Sequence, residues 1–467
     1  MPAGFSAQPR RSRHGRYPGE ACWALLRFRG RVCRANRPAE LTPASCARGP
    51  AWCEGDHPDI ERRPVATRVV RPTGRGLLLF DSHPAGCAQT VADMWSQVHA
   101  VDRGDRRRPV ALVIGSSAGY GLAATIVGLA RYGICGVGLC YEKPWSARRT
   151  ATAGWYRTIA TARLAAKAGT RMEFVSADCF ADATKTEVMD LIARRFGPVD
   201  YLIYSIASSR RTDPVTGNTY RSALKPVGHA HRTKTLMFDD DGAPLLQEIE
   251  VPAATSDEVE ATVKVMGGED WARWIDVMEQ YGLIRPGFQT VALSYIGAES
   301  TSAIYREGTI GAAKTHLEET ARTLNAKLAG GHDGRAATSV NGAAVTQSST
   351  AIPGISLYIG LLRGVVGESM HSPIGQFADL WDQLVGTKPM EVDEHDRIRL
   401  DRWELANDVQ DAVIARWKAA VPENISDIAD VDWFRSEVRR LYGFAVPGVD
   451  YDKPLAPDLP WPTGTTG

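Results

Sequence analysis

The sequence predicts an α/β protein built on a Rossmann-type doubly wound parallel sheet, with a β-hairpin insertion and a mainly helical C-terminal part. Three observations carry that expectation. From Val110 onward, unbroken apolar runs alternate with segments of ten or more residues that have helical composition. That alternation marks βαβ units and a parallel sheet. The runs are continuous because helices cover both faces of such a sheet. The first run also ends in a glycine turn that opens a helix, the usual start of a dinucleotide-binding unit.

Taken in order, residues 1–66 stand apart: rich in Arg and Pro, lacking Lys, with no sustained periodicity. The twin arginine Arg10-Arg11 is followed by only a short apolar run, "ACWALL" from Ala21, too short for a secretory signal. Cys22, Cys33, Cys46 and Cys53 lack Cys-x-x-Cys spacing, so no zinc site is expected. Such a composition cannot bury enough apolar surface to offset ordering entropy. A disordered, dispensable extension over 1–66 is expected ahead of a single domain over 67–467.

"RGLLLFDSHPAGC" then reads as a strand and a turn. "PVALVIGSSAGYGLAATIVGLARYG" reads as strand, glycine turn and helix, and "ICGVGLCYEKP" as a second strand stopped by Pro144. A helix ending near Gly169, a strand "RMEFVSADCF", a helix closed by Gly197 and a strand "VDYLIYSIAS" follow. The rhythm breaks from Ser208 to about Glu250, where "TLMFDDDGAPLLQEIEV" reads as a hairpin around Asp-Gly. Further helices, "FQTVALSYIG" as a fifth strand, the helix "GAAKTHLEETARTLNAKLAG" and "RAATSVNGAAVTQ" as a sixth strand complete the pattern. Residues from Ile352 to about Gly443 read as mainly helical.

Composition narrows the function. With 44% apolar and 23% charged residues and a net charge of +1, the chain is an ordinary globular protein without a basic field for nucleic acid. "ISLYIGLLRGVVG" from Ile355 is too short for a membrane span and carries Arg363. Cys87, Cys135, Cys140 and Cys179 sit in apolar contexts, as expected of reduced core residues in a cytoplasmic protein.

Gly115, Gly119 and Gly121 let the backbone approach a pyrophosphate, which the following helix N-terminus attracts. Glu142, after Tyr141 at the end of the second strand, can accept from a ribose diol and repels a 2′-phosphate, favouring NADH over NADPH. Asp178-Cys179 and Ile206-Ala207 end the third and fourth strands, where adenine and nicotinamide contacts are expected.

Tyr295 ends the fifth strand, Tyr305 follows in the loop and Lys314 enters the next helix. A lysine beside a nicotinamide can bias a phenol, whose free pKa is about 10, toward donating a proton. Short-chain dehydrogenases place that lysine four residues after the tyrosine, where this chain has Thr309. The spacing here is Tyr-x8-Lys, and Gly308 and Gly311 are expected to give the loop freedom to bring the groups together.

With these elements in place, the chain resembles the FabV/trans-2-enoyl-CoA reductase family from about Thr67 to Asp452. The resemblance rests on "HPAGC", "GSSAGYGLAA", "TAGWY", "YSIASSRRTDPVTG", "LKPVG", "VMGGEDW", "SYIG", "VTQSSTAIP" and "GVDYD". It implies NADH-dependent reduction of the trans-2 double bond of enoyl thioesters carried on acyl carrier protein or coenzyme A, the final reductive step of fatty acid elongation. It further implies a monomer and these assignments: Tyr305 as proton donor, Tyr295 against substrate, and Lys314 against cofactor. Gly115, Ser116, Ser117, Ala118, Gly119 and Tyr120 become the pyrophosphate loop, Tyr141 and Glu142 the adenosine contact, and Ala344, Val345 and Thr346 a nicotinamide contact. Asp178, Cys179, Ile206 and Ala207 keep their cofactor positions, and no metal is implied. Ala118 stands where a small polar residue is expected in relatives. "ISLYIGLL" and "FADLWDQLV" are as readily core as lining of an acyl channel. A carbonyl-reducing dehydrogenase and a non-catalytic NAD-binding protein are the alternatives.

Overall fold

The computed structural model describes residues 67–462 apart from 103, 105, 106 and 240. The expectations for residues 1–66 lie outside the described residues.

Seven parallel strands form the central sheet: β1 (Val110–Ile114), β2 (Cys135–Cys140), β3 (Met172–Ser176), β4 (Val199–Tyr204), β5 (Ile284–Ser294), β6 (Arg335–Val340) and β7 (Arg397–Arg399). Their spatial order is 7-6-5-4-1-2-3, with every neighbouring pair parallel. The winding reverses between β1 and β4, and a crevice for ligands opens at their carboxyl ends.

Alternate residues of one strand feed two cores. Leu112 and Ile114 pack with Val137, Leu139 and Leu202 against the helices Asp182–Arg195 and Glu269–Gln280. Ala111 and Val113 pack with Ile203 and Ala337 against the helices Gly119–Tyr132 and Pro373–Leu384. Two-sided burial explains why these strands read as unbroken apolar runs.

The hairpin expected before Val251 is present as antiparallel strands His231–Phe238 and Pro244–Val251. Its Leu236 and Phe238 join Tyr358, Val413 and Phe434 in a third core formed with the C-terminal helices. A smaller ribbon pairs Arg210–Thr212 with Thr219–Arg221.

Three local expectations need correction. "RGLLLFDSHPAGC" is no core strand: Gly74–Arg75 pairs with Leu78–Leu79 in a minimal hairpin. A helix, Pro84–Ser96, then begins inside the expected turn, capped where His83 Nδ1 accepts from the Gly86 N–H at 3.1 Å. The mainly helical C-terminal part also contributes β7, whose three residues Arg-Ile-Arg are too few and too charged to show a strand pattern. Among the described residues, no helix is long and apolar enough to cross a membrane.

Candidate active site

The glycine turn lies at the reversal point. Gly115 has φ +92°, and a Cβ there would come within 2.1 Å of the Ser205 carbonyl oxygen that ends β4. A glycine is therefore required for the two strand ends to meet. The following helix starts at Gly119, and Ala118 offers it no side-chain cap. Its first N–H groups are thus left for an anion. Ser116 is buried and bonded to β2, its N–H donating to the Leu139 oxygen at 3.1 Å. Tyr120 donates to the Gly342 carbonyl beyond β6. The Thr346 methyl lies 3.5 Å from where a Gly119 Cβ would stand. The loops after β1 and β6, 227 positions apart at Gly119 and Thr346, therefore converge. These residues fit a dinucleotide pyrophosphate.

Around that turn the other expected cofactor residues take distinct positions. Glu142 accepts from Ser117 Oγ at 2.6 Å and from the Thr152 hydroxyl, which leaves its carboxylate over the glycine turn. Tyr141 is 69% exposed beside it. Ile206 and Ala207 follow β4 directly. Cys179 is corrected in one respect. Its side chain belongs to the core, so it can meet a ligand only through its backbone. The Asp178 carboxylate folds back to accept from the Phe180 N–H at 3.0 Å.

A buried cation shapes that loop. Lys185 Nζ donates to the Cys179 and Phe180 carbonyls at 2.9 and 3.1 Å and pairs with Asp270 at 2.8 Å. Asp270 also accepts from the Tyr204 hydroxyl at 3.0 Å. Neither Lys185 nor Asp270 was expected from sequence, because an isolated Lys and Asp 85 positions apart carry no motif.

Tyr295 and Tyr305 meet, and Lys314 approaches the end of β5 from the next helix. Tyr295 follows β5, and Lys314 lies in the second turn of the helix Thr309–His332. The two phenol rings meet edge-on with centroids 4.8 Å apart. Gly308 and Gly311 do not supply looseness. A Cβ at Gly308 would lie 2.2 Å from the Ile304 oxygen, and one at Gly311 would lie 1.9 Å from the Arg306 oxygen. These glycines let the loop fold tightly back on the helix. Arg306 clamps that corner by pairing with Glu318 on the same helix at 2.9 Å, and the Thr309 hydroxyl donates to the Ala223 carbonyl at 2.6 Å.

Lys314 Nζ donates to the Leu293 carbonyl of β5 at 3.1 Å. Desolvation lowers its pKa to about 8 against the opposing pull of Glu318. Tyr305 is only 7% exposed, and its hydroxyl has no hydrogen-bond partner among the described residues. Burial first, and the field of Glu404 second, hold that phenol above its ordinary pKa, so it keeps its proton at neutral pH.

Glu404 is a further residue that sequence reasoning missed. It is fully buried, and its Oε1 accepts from Tyr295 and Tyr358 at 2.7 Å each. Its other oxygen accepts from the Ala343 N–H. Desolvation raises its pKa to about 7, opposed by the three hydrogen bonds. In "DRWELAND" it reads as an ordinary helical acid, so no sequence signal could have found it.

The two apolar segments considered for an acyl channel separate here. The helix Ile355–Val366, holding "ISLYIGLL", shares the third core with Tyr295 and Tyr305. "FADLWDQLV" does not line that corner. It packs under the glycine-turn helix, with Trp381 Nε1 donating to the Ala124 carbonyl at 2.8 Å.

Comparison with known proteins agrees with this geometry. A family model described as the trans-2-enoyl-CoA reductase catalytic region matches residues 149–385. The NAD(P)H binding domain of trans-2-enoyl-CoA reductase matches 69–147. An enoyl-[acyl-carrier-protein] reductase [NADH] of Streptomyces avermitilis is 59% identical over 393 residues, covering 84% of this chain and 100% of that protein. Its counterpart in Cytophaga hutchinsonii is 42% identical, covering 82% of this chain and 96% of the relative. Trans-2-enoyl-CoA reductase of Clostridium acetobutulicum, solved in complex with NADH, superposes with a TM-score of 0.79 at 35% identity, covering 84% of this chain and 98% of that one. The Treponema denticola enzyme, solved with NAD, gives 0.77 at 38% identity over 83% and 98%.

A third family model, described as an enoyl reductase FAD binding domain, matches 392–455. The helices of that segment turn Val413, Ile425, Val431, Phe434 and Val438 into the third core. It contains no strand, glycine turn and helix that could seat a second dinucleotide. The segment does not fit a flavin, and the chemistry below uses none.

Proposed function

The chain belongs to the trans-2-enoyl-CoA reductase family, and from that membership we propose how its residues divide the work. The enzyme reduces the trans-2 double bond of enoyl thioesters with NADH. NADH, when bound, supplies a hydride to the β-carbon of the substrate. Negative charge then develops on the thioester oxygen, where a preorganised donor stabilises the transition state more than the ground state. Tyr305 is that donor and the source of the proton that completes the α-carbon. Lys314 holds the nicotinamide ribose, and Tyr295 faces the substrate. The glycine turn, Glu142 and the strand ends at Asp178-Cys179, Ile206-Ala207 and Ala344-Thr346 hold the rest of the cofactor.

The observation that supports this division is the Tyr305 hydroxyl: the residue is buried beside Tyr295, yet its hydroxyl has no partner among the described residues and is not sealed in the core. A phenol O–H that no group of the fold occupies and that is open to the site is free to donate to a ligand oxygen. As carrier we propose acyl carrier protein, since the 59% identical relative is named for it while the coenzyme A reductases above stand at 35% and 38% identity. The test is loss of NADH absorbance with matched enoyl thioesters on both carriers, and with ketones of similar size. Turnover of ketones in preference to both thioesters would overturn the assignment, and higher kcat/KM on coenzyme A would overturn the carrier.

A further inference from the structure

Glu404 and the two phenols on it contain more protons than the site can leave undirected. We propose that Glu404 sets the direction of the Tyr295 hydrogen bond. As a carboxylate it draws the Tyr295 proton inward, and as a carboxylic acid it donates to Tyr295, which then donates to the thioester oxygen of the substrate. The proposal rests on Tyr295 facing the substrate, as assigned above.

The donor inventory leads there. A carboxylate only accepts, so Tyr295, Tyr358 and the Ala343 N–H all point their protons at ionised Glu404. In that state Tyr295 has no proton left for a ligand and can only accept. When Glu404 is protonated, its single O–H must donate to one phenol, since the Ala343 N–H already occupies the other oxygen. Tyr358 is excluded as the recipient. Its oxygen already accepts from Gln410 Nε2 at 3.1 Å, and its own proton still needs the Glu404 oxygen. The acid proton therefore goes to Tyr295, whose own proton is then freed from Glu404 and available to a ligand oxygen. Glu404 touches no reacting atom in this scheme and acts as a positioning residue. Tyr295 lends the developing oxyanion a hydrogen bond and keeps its proton, so the one proton that joins the substrate is the one Tyr305 gives to the α-carbon, and Glu404 ends the turnover still protonated.

Glu404 titrates in the right range for such a role, since burial raises its pKa to about 7. The groups whose fields reach it are few. Tyr295 and Tyr305 act from the β5 side, Tyr358 from the helix Ile355–Val366, and Tyr120 from the glycine-turn helix. Asp401, bound to Arg399 at 2.7 Å, acts from its own segment. His371 stacks on the adjacent Trp403.

The test is kcat and kcat/KM for an enoyl thioester between about pH 6 and 7.5, a window below the Lys314 titration. Wild type is expected to fall roughly fourfold across it, as one essential acid titrating near neutrality requires. Glu404→Gln should flatten that fall, because an amide with its oxygen on the Ala343 N–H aims two protons at the phenols at every pH. Tyr358→Phe removes a donor from the carboxylate, favours the neutral acid and should move the inflection to higher pH. A wild-type slope in Glu404→Gln, or an inflection moved to lower pH in Tyr358→Phe, overturns the proposal. If Glu404→Gln does not fold, as read by NADH titration, the direction of the Tyr358→Phe shift decides alone. Wild-type turnover in Tyr295→Phe would instead remove the substrate-facing role on which the proposal stands. An impaired Tyr295→Phe together with an unchanged slope in Glu404→Gln overturns the Glu404 role alone.

Discussion

The Tyr305 ring meets the Tyr295 ring edge-on, with centroids 4.8 Å apart and planes at 71°. The two phenols share one corner but not one state. Tyr295 is bonded to Glu404 at 2.7 Å, whereas the Tyr305 hydroxyl has no partner among the described residues. Neighbouring tyrosines of similar burial are thereby given different work, one oriented from behind and one open to a ligand.

Removing the open hydroxyl should therefore affect chemistry and spare binding. Tyr305→Phe is expected to lower kcat by about 10²–10⁴-fold, the usual contribution of a general acid or oxyanion donor. NADH affinity, followed by fluorescence titration, should stay within about threefold. Turnover like wild type would show that another group supplies the proton.

The proposed role of Lys314 would tie cofactor binding to pH. Its ammonium is present below about 8 and lost above, because desolvation outweighs the help of Glu318. NADH affinity should weaken as pH rises through that value, by up to about tenfold between pH 7 and 9 if only the charged form holds the ribose. Lys314→Met should bind more weakly at pH 7 and show no such trend. A wild-type affinity independent of pH would show that the ammonium does not touch the cofactor.

In the proposed assignment Glu142 carries the choice between the two nicotinamide cofactors. With Ser117 and Thr152 donating to it, its charge stands fixed beside the glycine turn. A carboxylate and a phosphate a few ångströms apart near a protein surface repel by about 1–4 kcal/mol. NADH should thus be preferred at least about tenfold in kcat/KM, and Glu142→Gln should narrow the ratio. Equal use of NADPH by wild type would place that phosphate elsewhere.

The buried pair Lys185–Asp270 is a structural liability that supports the site. Both side chains are at most 2% exposed. Removing one partner leaves the other charge buried, which typically costs about 3–5 kcal/mol. Lys185→Met should thus lower the thermal midpoint, and it should also raise KM for NADH by freeing the Cys179 and Phe180 carbonyls. A midpoint unchanged from wild type would mean that the pair contributes nothing net.

What was legible in sequence is local. The strands β1, β2 and β4 announce themselves through apolar runs, and the hairpin through Asp-Gly. Tyr305 and Lys314 stand out in sequence because they lie on one strand–loop–helix unit, nine residues apart. The helix Pro84–Ser96 was missed because its start, "SHPAGC", carries turn residues and a histidine cap. The tight fit of Gly308 and Gly311 was misjudged because a glycine's neighbours in space cannot be known from its neighbours in sequence.

By itself, then, the sequence determined the fold class and placed the glycine turn, the two tyrosines and Lys314 at the carboxyl ends of the strands. Each of these follows from periodicity or spacing within a few tens of residues, where backbone geometry dictates which side chains share a face. Only the tertiary structure decided that Glu404 stands behind Tyr295, 109 positions away, and that Lys185 holds the Cys179 loop through Asp270. A lone acid or amine has no periodicity. Its partners and its pKa come from desolvation and from hydrogen bonds made when distant segments close around it.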